Sequence, residues 1–352
     1  MGLLTLAMLL GAYWSYVEQG WGGYWAWDPV ENASLTTWMA TLVALHGARG
    51  VGRRDVLLTR LPFVVAIAGA AVARSGVASS VHSFAEAGHI GLLLGLAAIV
   101  AAAGAVVRLP PRRQSRSLDS WAATGTVLSG ASLAIVALLT VTPVLASSQG
   151  DGARIAGTYF ARLLAPLAAA AVIALVLMAV RARRRVPVAG WVAHVGMVIV
   201  LAGVAGSAFD REERIVVEAA ATRAAAGVSI TNHGVSVVAD EESGTTAVVA
   251  DLTVAGERRS PSLVAHPGRG GVLAETSLVS RPWRDVQVAL LSADDHGRVV
   301  LVVRSKPLVP LIWVGATLVM LAAALSLRRR PVPPPAVPMA TPSEPAFATA
   351  AR

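Results

Sequence analysis

The chain has 352 residues, 55% of them hydrophobic and only 14% charged, far more apolar material than one soluble core needs. Its formal net charge of +9 does not point to nucleic acid, because the arginines gather in short clusters beside apolar blocks and no aromatic-basic stacking surface accompanies them. The absence of cysteine excludes a disulfide framework, a thiolate metal site and a cysteine nucleophile, so any thiol chemistry must use a partner's thiols.

The apolar residues are mostly Ala, Leu, Val and Gly in long blocks, which predicts membrane spans. Blocks of about 17 to 25 residues lie near 1–17, 33–48, 60–76, 87–107, 121–142, 159–180, 187–207 and 308–327. The first, Met1 to Val17, lacks a basic n-region and a small-residue cleavage site, so it predicts a short span rather than a signal peptide. Arginine clusters at Arg49 to Arg60, Arg108 to Arg116, Arg181 to Arg185 and beyond Arg328 all fall on one side. The positive-inside rule makes that side cytoplasmic and sends 18–32, 77–86, 143–158 and 208–307 to the other, which in a bacterium is the periplasm.

Segment 208–307 changes character. Val235 to Val238, Ala247 to Val254 and Val299 to Val303 are bounded by Gly, Asp, Asn and Pro, a pattern of short strands in a sandwich or a small barrel. The Pro-rich run from Pro331 has nothing to bury and predicts a disordered tail. The expected fold class is therefore mainly α, a polytopic helical membrane protein of about eight transmembrane helices with a small external β domain before the last. Its divisions are a bundle over 1–207 with an aromatic segment at 18–38, the β domain over 208–307, the last helix over 308–330 and a cytoplasmic tail over 331–352.

Between the first two spans stands Trp21-Gly22-Gly23-Tyr24-Trp25-Ala26-Trp27-Asp28-Pro29-Val30-Glu31-Asn32-Ala33-Ser34, flanked by Trp14 and Trp38. An interfacial aromatic belt accounts for single tryptophans. It has no use for Gly22 and Gly23, which let a flat ligand or a tight turn approach the backbone, nor for Asp28 and Glu31 beside the rings. A π-rich platform with a few polar groups suits a porphyrin, whose faces are apolar and whose edge carries propionates.

Seven histidines are present. His46, three residues before Arg49, and His194, nine residues past Arg185, both sit toward the cytoplasmic half; nine helical residues cover roughly 14 Å, so the two can share a depth if His46 is slightly buried. Two neutral imidazoles facing across a bundle can ligate one haem iron axially; two unrelated polar residues hydrogen-bonded within the bundle are the plainer alternative. His82 falls in the external loop, on the side of the tryptophans, where loop imidazole is a good iron ligand. Arg74 can pair with a propionate or simply snorkel to the interface. His89 is a helix-start residue or a spare ligand, and His233, His266 and His296 lie in the β domain without metal-ligand spacing.

The aromatic segment resembles the WWD motif of the haem-handling proteins of cytochrome c maturation, and Trp27 to Ser34 is similar to the CcmF branch rather than to its CcmC and CcsA relatives. Ala44-Leu45-His46 and Trp191-Val192-Ala193-His194-Val195-Gly196 match the contexts of that family's transmembrane histidines, and Ser79 to Ala85 matches its second external ligand loop. Glu275-Thr276-Ser277, Arg284 to Leu290 and Arg304 to Gly315 resemble its stretch around the last span.

The resemblance implies a cytochrome c haem lyase. It implies a haem b held by His46 and His194, and a transient external haem docked on Trp21, Gly22, Gly23, Tyr24, Trp25, Trp27, Asp28, Glu31 and Asn32, with His82 as axial ligand and Arg74 nearby. A CcmE-type haem chaperone would deliver that haem, apocytochrome c would present Cys-x-x-Cys-His thiols to its vinyl groups, and a donor such as quinol would supply electrons. A CcmH/CcmI-like subunit would handle the thiols. The family also carries an external histidine upstream of the WWD segment, and no residue before Trp21 is histidine; a separate N-terminal CcmF-like subunit or a truncated chain accounts for this. A haem transporter without ligation chemistry and a non-catalytic scaffold remain as alternative functions.

Overall fold

In the computed structural model the described residues are 1–18, 21, 23–74, 88–107, 109, 118–146, 157–182, 186–240, 244–265 and 272–327. His82, Gly22, His266, the loop around 77–86, most of the cytoplasmic arginine clusters and the tail fall outside them. Eight α-helices appear among them: α1 (Gly2–Glu18), α2 (Pro29–Gly47), α3 (Arg53–Arg74), α4 (Gly88–Val107), α5 (Ser120–Ala146), α6 (Gly157–Ala182), α7 (Val188–Gly206) and α8 (Val309–Leu327). Every peptide group in a bilayer core needs an internal partner, and a helix supplies it within the segment.

The six helices from α3 to α8 are long and apolar enough to cross a membrane, so the expected count of about eight spans is approximate. The 17 residues of α1 cover about 26 Å at 1.5 Å per residue, short of a hydrocarbon core of about 30 Å. Helix α2 has the length but carries Glu31, Asn32, four hydroxyl side chains and His46. Its polarity follows from its position: it packs against both α3 and α5 and buries Asn32, Thr36, Ala40, Val43 and Gly47 on one face, the three- and four-residue spacing of an inward stripe. Asn32 donates from Nδ2 to Thr140 Oγ1 of α5 at 3.0 Å.

Helices α7 and α8 form the closest pair. A Cβ on Gly196 would stand 2.7 Å from the Gly315 carbonyl oxygen, and one on Gly315 2.7 Å from the Val200 nitrogen; Gly203 meets Ile312 and Leu308 in the same way. Small residues let two backbones touch where lipid gives no hydrophobic drive to association.

Between these two helices the chain builds nine strands: β1 (Arg211–Val217), β2 (Thr222–Ala225), β3 (Val228–Asp240), β4 (Thr245–Val254), β5 (Glu257–Arg259), β6 (Ser262–Ala265), β7 (Val272–Arg281), β8 (Arg284–Ala293) and β9 (Val299–Pro307). All pairings are antiparallel, in the order β1-β9-β8-β7-β6-β4-β3-β2 with β5 beside β4. The sheet curls into a barrel-like form around Ile230, Leu252, Val286, Val288, Leu290 and Leu301. Asn232, fully buried in β3, donates to the carbonyls of Val217 at the end of β1 (3.2 Å) and Gly297 (2.9 Å), drawing together strands that the order places far apart.

The β domain is fastened to α1 by β7 and β8. Successive side chains of a strand face opposite ways, and β8 is buried on both faces from Asp285 to Leu290: Val286, Val288 and Leu290 enter the barrel core, while Asp285 and Gln287 meet α1. The Tyr16 hydroxyl donates to Asp285 Oδ2 at 2.9 Å. Ser280 holds the other carboxylate oxygen at 2.5 Å. Gln287 Nε2 donates to the Tyr16 carbonyl at 2.7 Å, and Thr276 Oγ1 to the Val17 carbonyl at 2.8 Å. These are carbonyls of the last helical turn, which has no intrahelical donor for them. Burial pushes the Asp285 carboxyl above the usual range, and the Ser280 and Tyr16 bonds act against that rise.

Two outcomes follow from this packing. Gly315→Leu should force α7 and α8 apart at a cost of about 1–3 kcal/mol, measured as a lower midpoint of thermal unfolding in detergent; an unchanged midpoint would show that the close approach contributes nothing. Tyr16→Phe keeps the ring and deletes the hydroxyl, and should cost about 1.5–3 kcal/mol for a bond to a charged acceptor, read as faster proteolysis of the connections flanking the β domain.

Candidate functional site

The sequence concentrates its chemistry at two places, and the fold puts them at opposite ends of α2. The aromatic segment precedes Pro29, whereas His46 is the penultimate residue of the helix. Seventeen residues at 1.5 Å give about 25 Å between the two levels.

At the aromatic end, the start of α2 is a capping arrangement. Asp28 is the N-cap and accepts from the backbone N–H groups of Val30 (2.7 Å) and Glu31 (3.2 Å), and Pro29 takes the first helical position, where its missing N–H has no cost. Glu31, three residues on, reaches back to the Ala26 N–H at 2.7 Å, a variant of the capping box. Asp28 is fully buried. Asp28 and Glu31 thus each accept a backbone N–H at the helix start, which begins four residues earlier than the apolar block predicts.

The aromatic rings are divided among several tasks. Trp27 takes a positive φ of 56°, a conformation that costs a bulky residue about 1–2 kcal/mol. Asn32 Nδ2 holds its carbonyl at 3.1 Å, and its indole stacks on Phe160 of α6, with ring centroids 4.6 Å apart and planes 16° from parallel. Tyr24 turns instead toward the joint with the β domain, within 6.5 Å of Tyr16 and 6.4 Å of Trp313. Burial, with the nearby Asp210 charge, pushes its phenol up to about 12, so it stays neutral.

Gly23 does not leave its space open to a ligand as expected, because the Trp21 ring occupies the position of a Cβ there. Trp21 itself is 42% exposed. Trp25 keeps its indole Nε1 buried without a hydrogen-bond partner, and Asn32 Oδ1 is in the same state; buried polar atoms of this kind are costly and call for a partner. Arg74 is exposed at the end of α3, and His89 is exposed in the first turn of α4, the helix-start position. His233 bonds Thr253 at 2.7 Å on the outside of the barrel, and His296 lies exposed in the turn before β9.

At the other end, His46 of α2 and His194 of α7 face one another with ring centroids 6.1 Å apart and planes at 63°. His46 Nδ1 lies 2.9 Å from the Leu42 carbonyl and His194 Nδ1 2.7 Å from the Gly190 carbonyl. A carbonyl only accepts, so each Nδ1 carries the proton, and in the neutral ring Nε2 keeps its lone pair for a metal. Bonds of about 2.0–2.1 Å from one ion to two imidazoles, plus the ring half-widths, separate the centroids by roughly 6.4 Å, close to the 6.1 Å found. Gly125 of α5 makes room for the pair, since a Cβ there would come within 2.5 Å of the His46 ring.

Reasoning from sequence missed Gly125, Phe160 and the Tyr16, Asp285 and Gln287 joint. Gly125 and Phe160 carry no local signal. Asp285 and Gln287 do, as polar residues two apart inside a Val-rich strand.

Comparison with known proteins gives these positions a context. A family model described as cytochrome C assembly protein matches residues 1–73, the stretch holding the aromatic segment and His46. NrfE of Escherichia coli, a probable cytochrome c-type biogenesis protein, is 31% identical over 226 residues, 60% of this chain and 41% of that protein. CcmF of Haemophilus influenzae is 33% identical over 172 residues, 45% of this chain and 26% of its own length. The chain thus spans well under half the length of these relatives. A solved structure of the cytochrome c haem lyase CcmF superposes with a TM-score of 0.65 at 20% identity, covering 93% of this chain and 64% of that one, and so shares its fold. On these matches the chain is similar to the CcmF-type cytochrome c maturation proteins over part of their length and shares the fold of one of them.

Proposed function

We propose that this chain is the haem-handling part of a cytochrome c haem lyase in a bacterial inner membrane, with its β domain in the periplasm. The observation that carries the reading is the His46 and His194 pair, two imidazoles from different helices at a separation suited to one iron. A haem b held there would supply one-electron chemistry. The bonds from Nδ1 to Leu42 and Gly190 hold both rings; bonds of this kind to the far ring nitrogen are what orient metal-ligating histidines. Gly125 keeps the ring position clear, and the surrounding apolar helices exclude water. Electrons would come from a donor such as quinol.

The aromatic end receives the second haem as substrate, delivered by a CcmE-type chaperone. Trp21 and Trp25 offer it apolar faces, Trp27 fixes the segment against α6, and His82 and Arg74 supply the axial ligand and the propionate partner. Apocytochrome c brings the Cys-x-x-Cys-His thiols, which add to the haem vinyl groups. The chain itself positions the reactants and excludes solvent. A CcmH/CcmI-like subunit presents the reduced thiols.

Absorption spectra of the purified chain in detergent test the first site. A bis-imidazole b-type spectrum is expected, lost in His46→Ala and in His194→Ala; a spectrum indifferent to both changes would remove the assignment. Gly125→Ala should displace the His46 ring and lower haem occupancy about 10- to 100-fold, the range for disturbing the support of a metal ligand. For the external site, Trp25→Ala combined with His82→Ala should depress the yield of holocytochrome c in cells while leaving the transmembrane spectrum intact. An undiminished yield would argue for a scaffold.

A further inference from the structure

The β domain carries two large aromatic side chains that take no part in its core. Trp283 is 67% exposed and Phe209 70% exposed. Both lie where the domain meets the helices. Phe209 follows α7 by three residues. Trp283 occupies the turn between β7 and β8, and its carbonyl accepts the Leu308 N–H at 2.8 Å. Leu308 is the residue before α8 and adopts a positive φ of 63°, so the turn is fastened to the point where the chain bends from strand into helix. The register agrees, with Arg284 opposite Pro307.

The level of these residues is set by the helices. Gly206, the last residue of α7, abuts the Pro307 carbonyl. Val309 at the start of α8 packs on Tyr16 of α1, and Tyr13 meets Trp313 edge-on at 5.2 Å. Trp14, between Tyr13 and Tyr16, is 55% exposed. Three aromatics from three different elements therefore stand outward at one height, where α7 ends and α8 begins. Arg211 and Arg281 are exposed beside them.

We infer that the Arg281 to Arg284 turn and Phe209 form a membrane-interface anchor, which seats the β domain on the lipid headgroups beside the entry of α8. An indole or phenyl ring at headgroup depth keeps its apolar body out of water; Arg281 is ion-paired with Glu257, and Arg211 beside Phe209 suits an anionic phosphate. The occupant of this surface is lipid because the turn is bonded to Leu308, the residue immediately before a spanning helix, which leaves the ring at the bilayer edge. The β domain is thereby held at a fixed height above the membrane.

The chain has no cysteine, so a single introduced thiol can be labelled without background. Trp283→Cys and, separately, Phe209→Cys are labelled with bimane in the full chain and reconstituted in nanodiscs of phosphatidylcholine and phosphatidylglycerol. His296→Cys serves as control: it lies at the far end of β8, whose ten residues span about 33 Å at 3.3 Å each. Lipids brominated near the headgroup should quench the labels at 283 and 209 by about twofold or more, as expected of groups at headgroup depth, and leave the label at 296 unchanged. Iodide in the buffer should do the reverse. Labels at 283 and 209 quenched by iodide as strongly as that at 296 would overturn the anchor, and so would protection from both quenchers, which would mean that protein covers the turn.

Discussion

Everything at the external face of this molecule is referred to one buried contact, the bond from the Tyr16 hydroxyl to Asp285. A carboxylate that is 1% exposed is expensive unless each oxygen has a donor, and here Tyr16 and Ser280 provide one apiece. Gln287 and Thr276 then complete the carbonyls at the end of α1, a helix terminus that in lipid would have no water to turn to. The joint thus satisfies two sets of groups at once, those of the strand and those of the helix. Its position matters because the aromatic segment begins within a few residues of Tyr16, and Tyr24 returns to the same cluster of rings. The loop carrying Trp21 is pinned at both ends to one rigid assembly.

That assembly extends into the membrane through the glycine contacts of α7 and α8. A hundred-residue insertion between two helices closes only if their ends stay together, and Gly206 against Pro307 keeps them so. The same helix that ends beneath the β domain carries His194 near its other end. One rigid element therefore spans the distance between the aromatic segment and the histidine pair, and α2 does the same with Asp28 at one end and His46 at the other. Two separate chemistries are held in fixed relation without any contact between them.

Much of this was legible in the sequence. Eight apolar blocks became eight helices with boundaries shifted by a few residues, because a long run of Ala, Leu and Val has only one way to satisfy its peptide groups in lipid. The polarity of α2 was visible too, and it marks a helix facing protein on both flanks rather than lipid. The histidine pair was approachable because depth can be counted from arginine clusters along two helices. Facing was another matter: nothing in Ala44-Leu45-His46 says that its ring points at α7, and the need for Gly125 arises from α5, a helix whose contact with His46 no local pattern encodes. The strands were foreseen, with a small barrel as one of two forms, but not their order, and no local pattern encodes the bonds of the Asn232 side chain to carbonyls 15 and 65 residues away.

The aromatic segment shows most clearly where pattern and structure part. A density of tryptophan points to a ligand, yet the same residues also have to begin a helix, turn a corner and meet a domain. Asp28 and Glu31 serve the first of these, Trp27 with its positive φ serves the second, and Tyr24 serves the third. Two further rings are informative: Trp21, partly exposed over Gly23, and Trp25, whose buried donor finds no acceptor among the described residues. A buried indole N–H without a partner costs about 1–3 kcal/mol. A group with hydrogen-bond acceptors at its edge and an apolar face, arriving from outside, would remove that cost and cover Trp21 in the same step.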